Sequence, residues 1–180
     1  MSGDGAGGWE VLSSEVVYQG WRTLIVDRLR KPDGGEMEYT WMPGTDAAAV
    51  LAFTDDGKVV LTRQYRHPIR QSVLELPAGV VESGETPAEA AARELAEETG
   101  YRAGTLELLG SFFPMAGLLS NRCHIFLARD LELGIPAPDE HEVIDVVLMD
   151  WQDIHALVLS GEPVDFQLAY AALLHSAQTV

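Results

Sequence analysis

Apolar and polar positions alternate with two different periods along this chain, and the switch between them marks out the elements. Val, Ile, Trp and Thr recur at strand spacing over residues 16–18 and 21–30, and Pro32-Asp33-Gly34-Gly35 then supplies a strong turn. Residues 36–42 alternate back as a partner strand, which predicts an N-terminal antiparallel hairpin or small sheet. The run 47–54 is almost wholly apolar, as in a strand covered on both faces, and Asp55-Asp56-Gly57-Lys58 turns it into a partner at 59–65. A short strand at 73–76 runs into Pro77-Ala78-Gly79. The period then changes to that of a helix. Thr86 with Glu89 three residues later makes a capping box, Pro87 takes the first helical position, and Gly100 is placed for the C-terminal cap. Strands at 106–113, 122–130 and 143–149 follow, then helices at 151–160 and 165–176. This order predicts a mixed α/β (α+β) fold rich in antiparallel pairing, without the regular alternation of a doubly wound sheet.

At 180 residues and 47% hydrophobic, the chain suits one domain over 9–180, with 9–45 as its N-terminal β region and a Gly/Ser-rich, disordered start over 1–8. One cysteine, Cys123, rules out an intrachain disulfide framework. No apolar run has membrane-spanning length and the N-terminus lacks a secretory pattern, so a cytoplasmic address with no membrane partner is expected. The net charge of −16 argues against a nucleic-acid partner, whose phosphates need a basic face. Residues 79–101 account for −5 of that charge, so acidity is general, and a phosphate-bearing ligand must be held by local arginines and metal ions. Arginine's planar fork suits that task.

On the helix after Thr86, Glu94, Glu97 and Glu98 share one face at spacings of three and four. They repel one another and crowd the helix end whose dipole prefers cations. An ordinary solvated face intersperses lysine; here only Arg93 gives partial relief. A divalent cation relieves the rest, and hard carboxylate oxygens select Mg²⁺. Leu95, with Ala91 and Ala92, is expected on the opposite, core-facing side.

Gly79, five residues, Glu85, seven residues, then Arg93-Glu94-Leu95-Ala96-Glu97-Glu98-Thr99-Gly100-Tyr101 resembles the complete Nudix box, with Tyr101 where an aliphatic residue is usual. The resemblance implies an α/β/α sandwich with a mixed sheet and a Mg²⁺-dependent pyrophosphohydrolase, Mn²⁺ being a possible substitute. It implies metal ligation by Glu94 and Glu98 with Glu97 beside them and the Ala78 carbonyl, and an Arg93 that holds the carboxylates with Glu85 as partner.

Outside the box, Arg63-Gln64-Tyr65-Arg66 and Glu75-Leu76-Pro77-Ala78-Gly79 are similar to the ADP-ribose/ADP-sugar pyrophosphatase branch. There Arg63 and Arg66 contact the diphosphate or order the site, with Glu75 organising them; the alternative is a pair of surface arginines on an edge strand. The loop from Pro114 to Gly117 matches that branch in part, Met115-Ala116 separating a Pro-Gly pair, which makes Gly117 a candidate substrate contact. Within Asp139-Glu140-His141-Glu142, the branch implies a glutamate that takes the proton from the attacking water: Glu140 first, Glu142 second. Trp21, Tyr39 and Trp41 read as core or interface aromatics, and the resemblance implies a homodimer through this hairpin. His67, His124, His141, His155 and His175 show no zinc spacing, and Cys123 reads as a buried thiol.

The function so implied is hydrolysis of ADP-ribose, or a related nucleoside diphosphate sugar, to a nucleoside monophosphate and a sugar phosphate. The alternatives are another nucleoside diphosphate derivative (GDP-mannose, FAD, NADH or an oxidised nucleotide) and a non-catalytic nucleotide sensor.

Overall fold

A computed structural model describes residues 7–137 and 143–178, which fall into two compact units, Met1–Thr45 with Phe113–Asn121, and Asp46–Phe112 with Arg122–Val180. Glu140, His141 and Glu142, and most of the start expected to be disordered, lie outside the described residues.

The first unit is a three-stranded antiparallel sheet in the order β1 (Glu10–Gln19), β2 (Thr23–Arg30), β3 (Glu36–Trp41). Cross-strand polar pairs line it: Ser14 Oγ donates to Asp27 at 2.6 Å, and Arg30 and Arg28 meet Glu10 and Glu36 at 2.6 and 2.7 Å. β1 starts six residues before the strand expected at 16, because Glu-Val-Leu-Ser-Ser-Glu carries too few apolar positions to alternate visibly. Residues 113–121 join this unit through a parallel bridge between Met42 and Leu119, and the Tyr39 hydroxyl donates to the Gly117 carbonyl at 2.7 Å. Trp21 is 90% exposed and so is no core residue.

The second unit is a seven-stranded mixed sheet between helical layers. Its path runs β10 (Ile144–Asp150), β5 (Lys58–Arg66), β4 (Ala47–Phe53), β9 (Cys123–Leu133), β8 (Tyr101–Phe112); β6 (Gln71–Glu75) pairs with β5 and β7 (Ala78–Val80) with β4. Only β4 and β9 run parallel; the other pairings among the described residues are antiparallel. β4 explains the sandwich by itself. Its residues point alternately to the two faces, and both sets are apolar. Ala48, Val50 and Ala52 pack with Ala90, Ala91 and Leu95 of α1 (Pro87–Thr99). Ala49, Leu51 and Phe53 pack with Ile154 of α2 (Trp151–Leu159) and Leu168, Ala171 and Ala172 of α3 (Phe166–Gln178). The α/β/α sandwich expected from the resemblance is therefore the observed fold.

α1 begins as its sequence dictates: Thr86 Oγ1 accepts from the Glu89 amide at 3.3 Å, and Glu89 accepts from the Thr86 amide at 2.8 Å. It ends where Gly100 turns to φ 79° and donates to the Ala96 carbonyl at 2.9 Å. One packing expectation fails: Ala92 is exposed and Ala90 takes its place in the core. At 100° per residue, position 92 rotates to the solvent side of a helix whose buried stripe is 91 and 95. Among the described residues no helix is long and apolar enough to cross a membrane.

Candidate active site

β4 and β5 pair only through Ala52–Val60 and Phe53–Val59 and then diverge, leaving an opening that β6 and β7 fill. β7 carries Ala78 and Gly79 across the glutamate face of α1. Glu94 and Glu98 are buried there, whereas the Glu97 side chain is 43% exposed. Glu98 Oε2 accepts from the Ala78 amide at 3.1 Å, which ties the strand to the helix face. Gly79 passes so close to Glu94 that a Cβ would overlap its carboxylate, so a side chain here would have to push the Glu94 carboxylate aside.

Arg93 is the hub of the cluster. Its Nε and Nη2 donate to the two Glu85 oxygens at 2.9 and 3.1 Å, its Nη1 to Glu94 and Glu97 at 2.7 and 3.0 Å, and its Nη2 also to the Val80 carbonyl at 3.0 Å. Hydrogen bonds to Glu85 foremost, then to Glu94 and Glu97, raise the guanidinium pKa against the opposing effect of burial. The same Arg93 bonds, with the Glu82 amide, hold the Glu85 carboxyl below its ordinary range. Among the described residues no three Asp, Glu, His or Cys side chains form a ready-made metal cage. Mg²⁺ does not need one, because it is held by one or two carboxylates together with water and substrate phosphate. Two buried carboxylates beside a backbone strand, with a third more open, fit that hard-oxygen demand.

The two strand arginines are not equivalent. Val59 and Leu61 belong to the α2–α3 layer and Val60 to the α1 layer. Alternation therefore puts Arg63 on the α2–α3 face and Arg66 on the α1 face. Glu75 stands opposite Thr62 in register and shares the α1 face. Arg66 grips Glu75 with both ends of its fork, Nε donating at 2.8 and 3.1 Å and Nη2 bonding Oε2. That bond raises the Arg66 pKa against the cost of burial, and the charges of Glu75, Glu98 and Asp165 add to it, so of the α1 glutamates Glu98 is the one whose charge reaches Arg66. Gly117 lies in the first unit, where its carbonyl serves Tyr39.

The other candidates have structural roles. His124 Nδ1 meets Ser111 Oγ at 2.8 Å, and His175 packs against Phe53 and Trp151 with centroids 5.0 Å apart. Burial pushes the Cys123 thiol up to about 12, as suits an inert core residue.

Sequence reasoning missed Asp165. Its Oδ1 caps α3 by accepting from the Gln167 and Leu168 amides at 2.8 and 3.1 Å. Burial foremost pushes its carboxyl above the ordinary range; the α3 amides oppose this and the Glu75 charge adds to it. A raised folded pKa means that ionisation costs stability. The cost is fully present above the folded pKa and vanishes as pH falls below the unfolded value. Asp165→Asn keeps the cap and removes the cost. We expect it to raise the denaturant midpoint at pH 8, with the gain shrinking as pH falls through the folded pKa and vanishing only below the unfolded value of 3.8; a gain as large at pH 4 as at pH 8 would contradict this origin.

A family profile described as the NUDIX domain matches residues 26–170. The chain is 37% identical over 164 residues to an ADP-ribose pyrophosphatase of Bacillus subtilis (strain 168), covering 90% of this chain and 86% of the relative. It is 35% identical over 172 residues to an ADP-ribose pyrophosphatase of Mycobacterium tuberculosis (strain ATCC 25618 / H37Rv), covering 92% and 82%. A solved structure described as an ADP compounds hydrolase superposes with a TM-score of 0.84 at 25% identity, over 94% of this chain and 93% of that one.

Proposed function

This chain belongs to the Nudix family of hydrolases, and from that premise we propose that it cleaves the diphosphate of ADP-ribose, releasing AMP and ribose 5-phosphate. It is a pyrophosphohydrolase acting on a nucleoside diphosphate-linked small molecule. The observation that carries the substrate reading is the Arg66–Glu75 pair, set within electrostatic reach of Glu98 on α1, in a chain similar to ADP-ribose pyrophosphatases over most of its length.

Nudix hydrolases use divalent metal ions, and here Mg²⁺ (or Mn²⁺) would be held by Glu94 and Glu98, with Glu97 and the Ala78 carbonyl beside them. When bound, the metal neutralises charge on the diphosphate and acidifies water. The chain's own residues do the rest. Arg93 fixes the carboxylates at the spacing a cation needs. Gly79 keeps β7 against Glu94 without a side chain in the way. Arg66, aimed by Glu75, offers a cation to the diphosphate. Water adds to one phosphorus, the bridging P–O bond breaks, and the proton released passes to a carboxylate in the 138–142 segment, Glu140 before Glu142. A homodimer, a contact from Gly117 and a cytoplasmic location complete the reading.

Product analysis with Mg²⁺ against ADP-ribose, GDP-mannose, UDP-glucose, FAD, NADH and 8-oxo-dGTP tests the substrate. AMP and ribose 5-phosphate formed preferentially from ADP-ribose supports it; preference for another compound retains the chemistry and removes ADP-ribose. For the base, we expect Glu140→Gln to lower kcat by ~10²–10³-fold with little change in KM. Should Glu142→Gln alone produce that drop, the base is Glu142.

A further inference from the structure

On the α2–α3 side, the second unit contains a cleft of about 790 Å³ that the hydrolytic scheme does not use. Arg63 and Leu74 wall it on the sheet, Ile69 at the β5–β6 turn, Leu157 from α2, and Asp165 and Phe166 at the start of α3; the Arg66–Glu75 pair forms its edge. The volume lies within the range of small-molecule sites.

Three features of the lining ask for a ligand of one kind. Arg63 makes no hydrogen bond or ion pair among the described residues, although Asp145 stands opposite it in the β10 register, while Arg28, Arg30, Arg66 and Arg93 are each held by carboxylates. In a chain of net charge −16, a guanidinium left unpaired beside an aliphatic cleft is a seat for an anion. The Phe166 ring is fixed from behind, edge-on to Phe112 with centroids 5.0 Å apart and stacked on Tyr170 at 6.1 Å, yet the residue is 56% exposed. A rigid, exposed aromatic face suits a flat ring. Asp165 spends Oδ1 on the helix cap and lines the cleft, where its carboxylate can also accept from a hydroxyl or amino group.

We propose that this cleft binds a nucleoside monophosphate, with the phosphate on Arg63, the base against Phe166 and a ribose or base donor on Asp165. The site is additional to the hydrolytic one and does not depend on which diphosphate is cleaved. Because Arg66 and Glu75 edge the cleft, a mononucleotide there touches a pair whose arginine senses the charge of Glu98, a route for feedback by a product of that class.

Calorimetric titration of AMP into the full chain in EDTA tests this without catalysis. Expected are one AMP per chain, binding weakened at least tenfold in Arg63→Gln and in Phe166→Ala, no weakening in Glu98→Gln, and ribose 5-phosphate bound at least tenfold more weakly than AMP. Both substitutions are at exposed positions, and unchanged circular dichroism verifies the fold. Absence of AMP binding to the native chain overturns the proposal. So does AMP binding that survives both cleft substitutions but weakens in Glu98→Gln. Inorganic phosphate bound as tightly as AMP overturns the nucleotide class.

Discussion

Glu98→Gln is expected to lower Mg²⁺-dependent turnover by ~10³-fold, about 4 kcal/mol of barrier, while the melting temperature stays within a few degrees of the native value. The two halves of that expectation have separate causes. Glu98 is buried beside Glu94, and its Oε2 accepts from the Ala78 amide at 3.1 Å. Glutamine still offers an oxygen of the same reach, so the tie between β7 and α1 survives. Removing one charge from a crowded acidic face also relieves repulsion. What glutamine lacks is the anionic oxygen a hard cation requires. Rates measured over a Mg²⁺ titration, with thermal melts of the same samples, decide the matter. Full turnover in the variant would remove Glu98 from the metal site, and a collapsed melt would mean its role is structural.

What could be read from the sequence divides by the range of the interactions involved. The ends of α1 were legible because Thr86, Glu89, Pro87 and Gly100 act within a few residues of one another, and the observed cap has the expected bonds. The central strand was legible because β4 is apolar on both faces. The first half of β1 and the whole of β7 were not, since their strand character comes from partners, Arg30 to Val26 on β2 for one and Ala47 to Ala49 on β4 for the other. Ala92 shows the limit of pattern on a helix so rich in alanine: 90, 91 and 92 are chemically alike, and only the rotation set by packing separates them. Arg63 and Arg66 looked like a pair in the sequence, yet an odd separation on a strand sends them to opposite faces. Asp165 carried no signal beyond that of a cap, because its neighbours Glu75 and Arg66 come from a hairpin some ninety residues earlier.

Arg93→Ala is expected to cost both stability and rate, and the loss of stability should depend on metal. The guanidinium bonds Glu85, Glu94, Glu97 and the Val80 carbonyl, and its side chain is only 24% exposed. Truncation leaves carboxylates facing one another in a partly dry site. The cost for a fully buried pair is 3–5 kcal/mol, so a partly exposed hub should lose roughly 2–3 kcal/mol, a fall of about 5–10 °C in Tm for a chain of this size. A divalent cation held as proposed would neutralise Glu94 and Glu98 but reach Glu85 less directly, since Glu85 lies back along the loop that Arg93 ties to the helix. Mg²⁺ should therefore restore part of the lost Tm in the variant, and stabilise it more than it stabilises the native chain. Activity should stay down by ~10²-fold even at saturating Mg²⁺, because the carboxylates are no longer held at fixed spacing. Thermal melts of both proteins across a Mg²⁺ series give the comparison. Equal metal-induced shifts would mean that Arg93 and the cation do not act on the same carboxylates, and the α1 face would then have to be reassigned from metal site to structural ion-pair network.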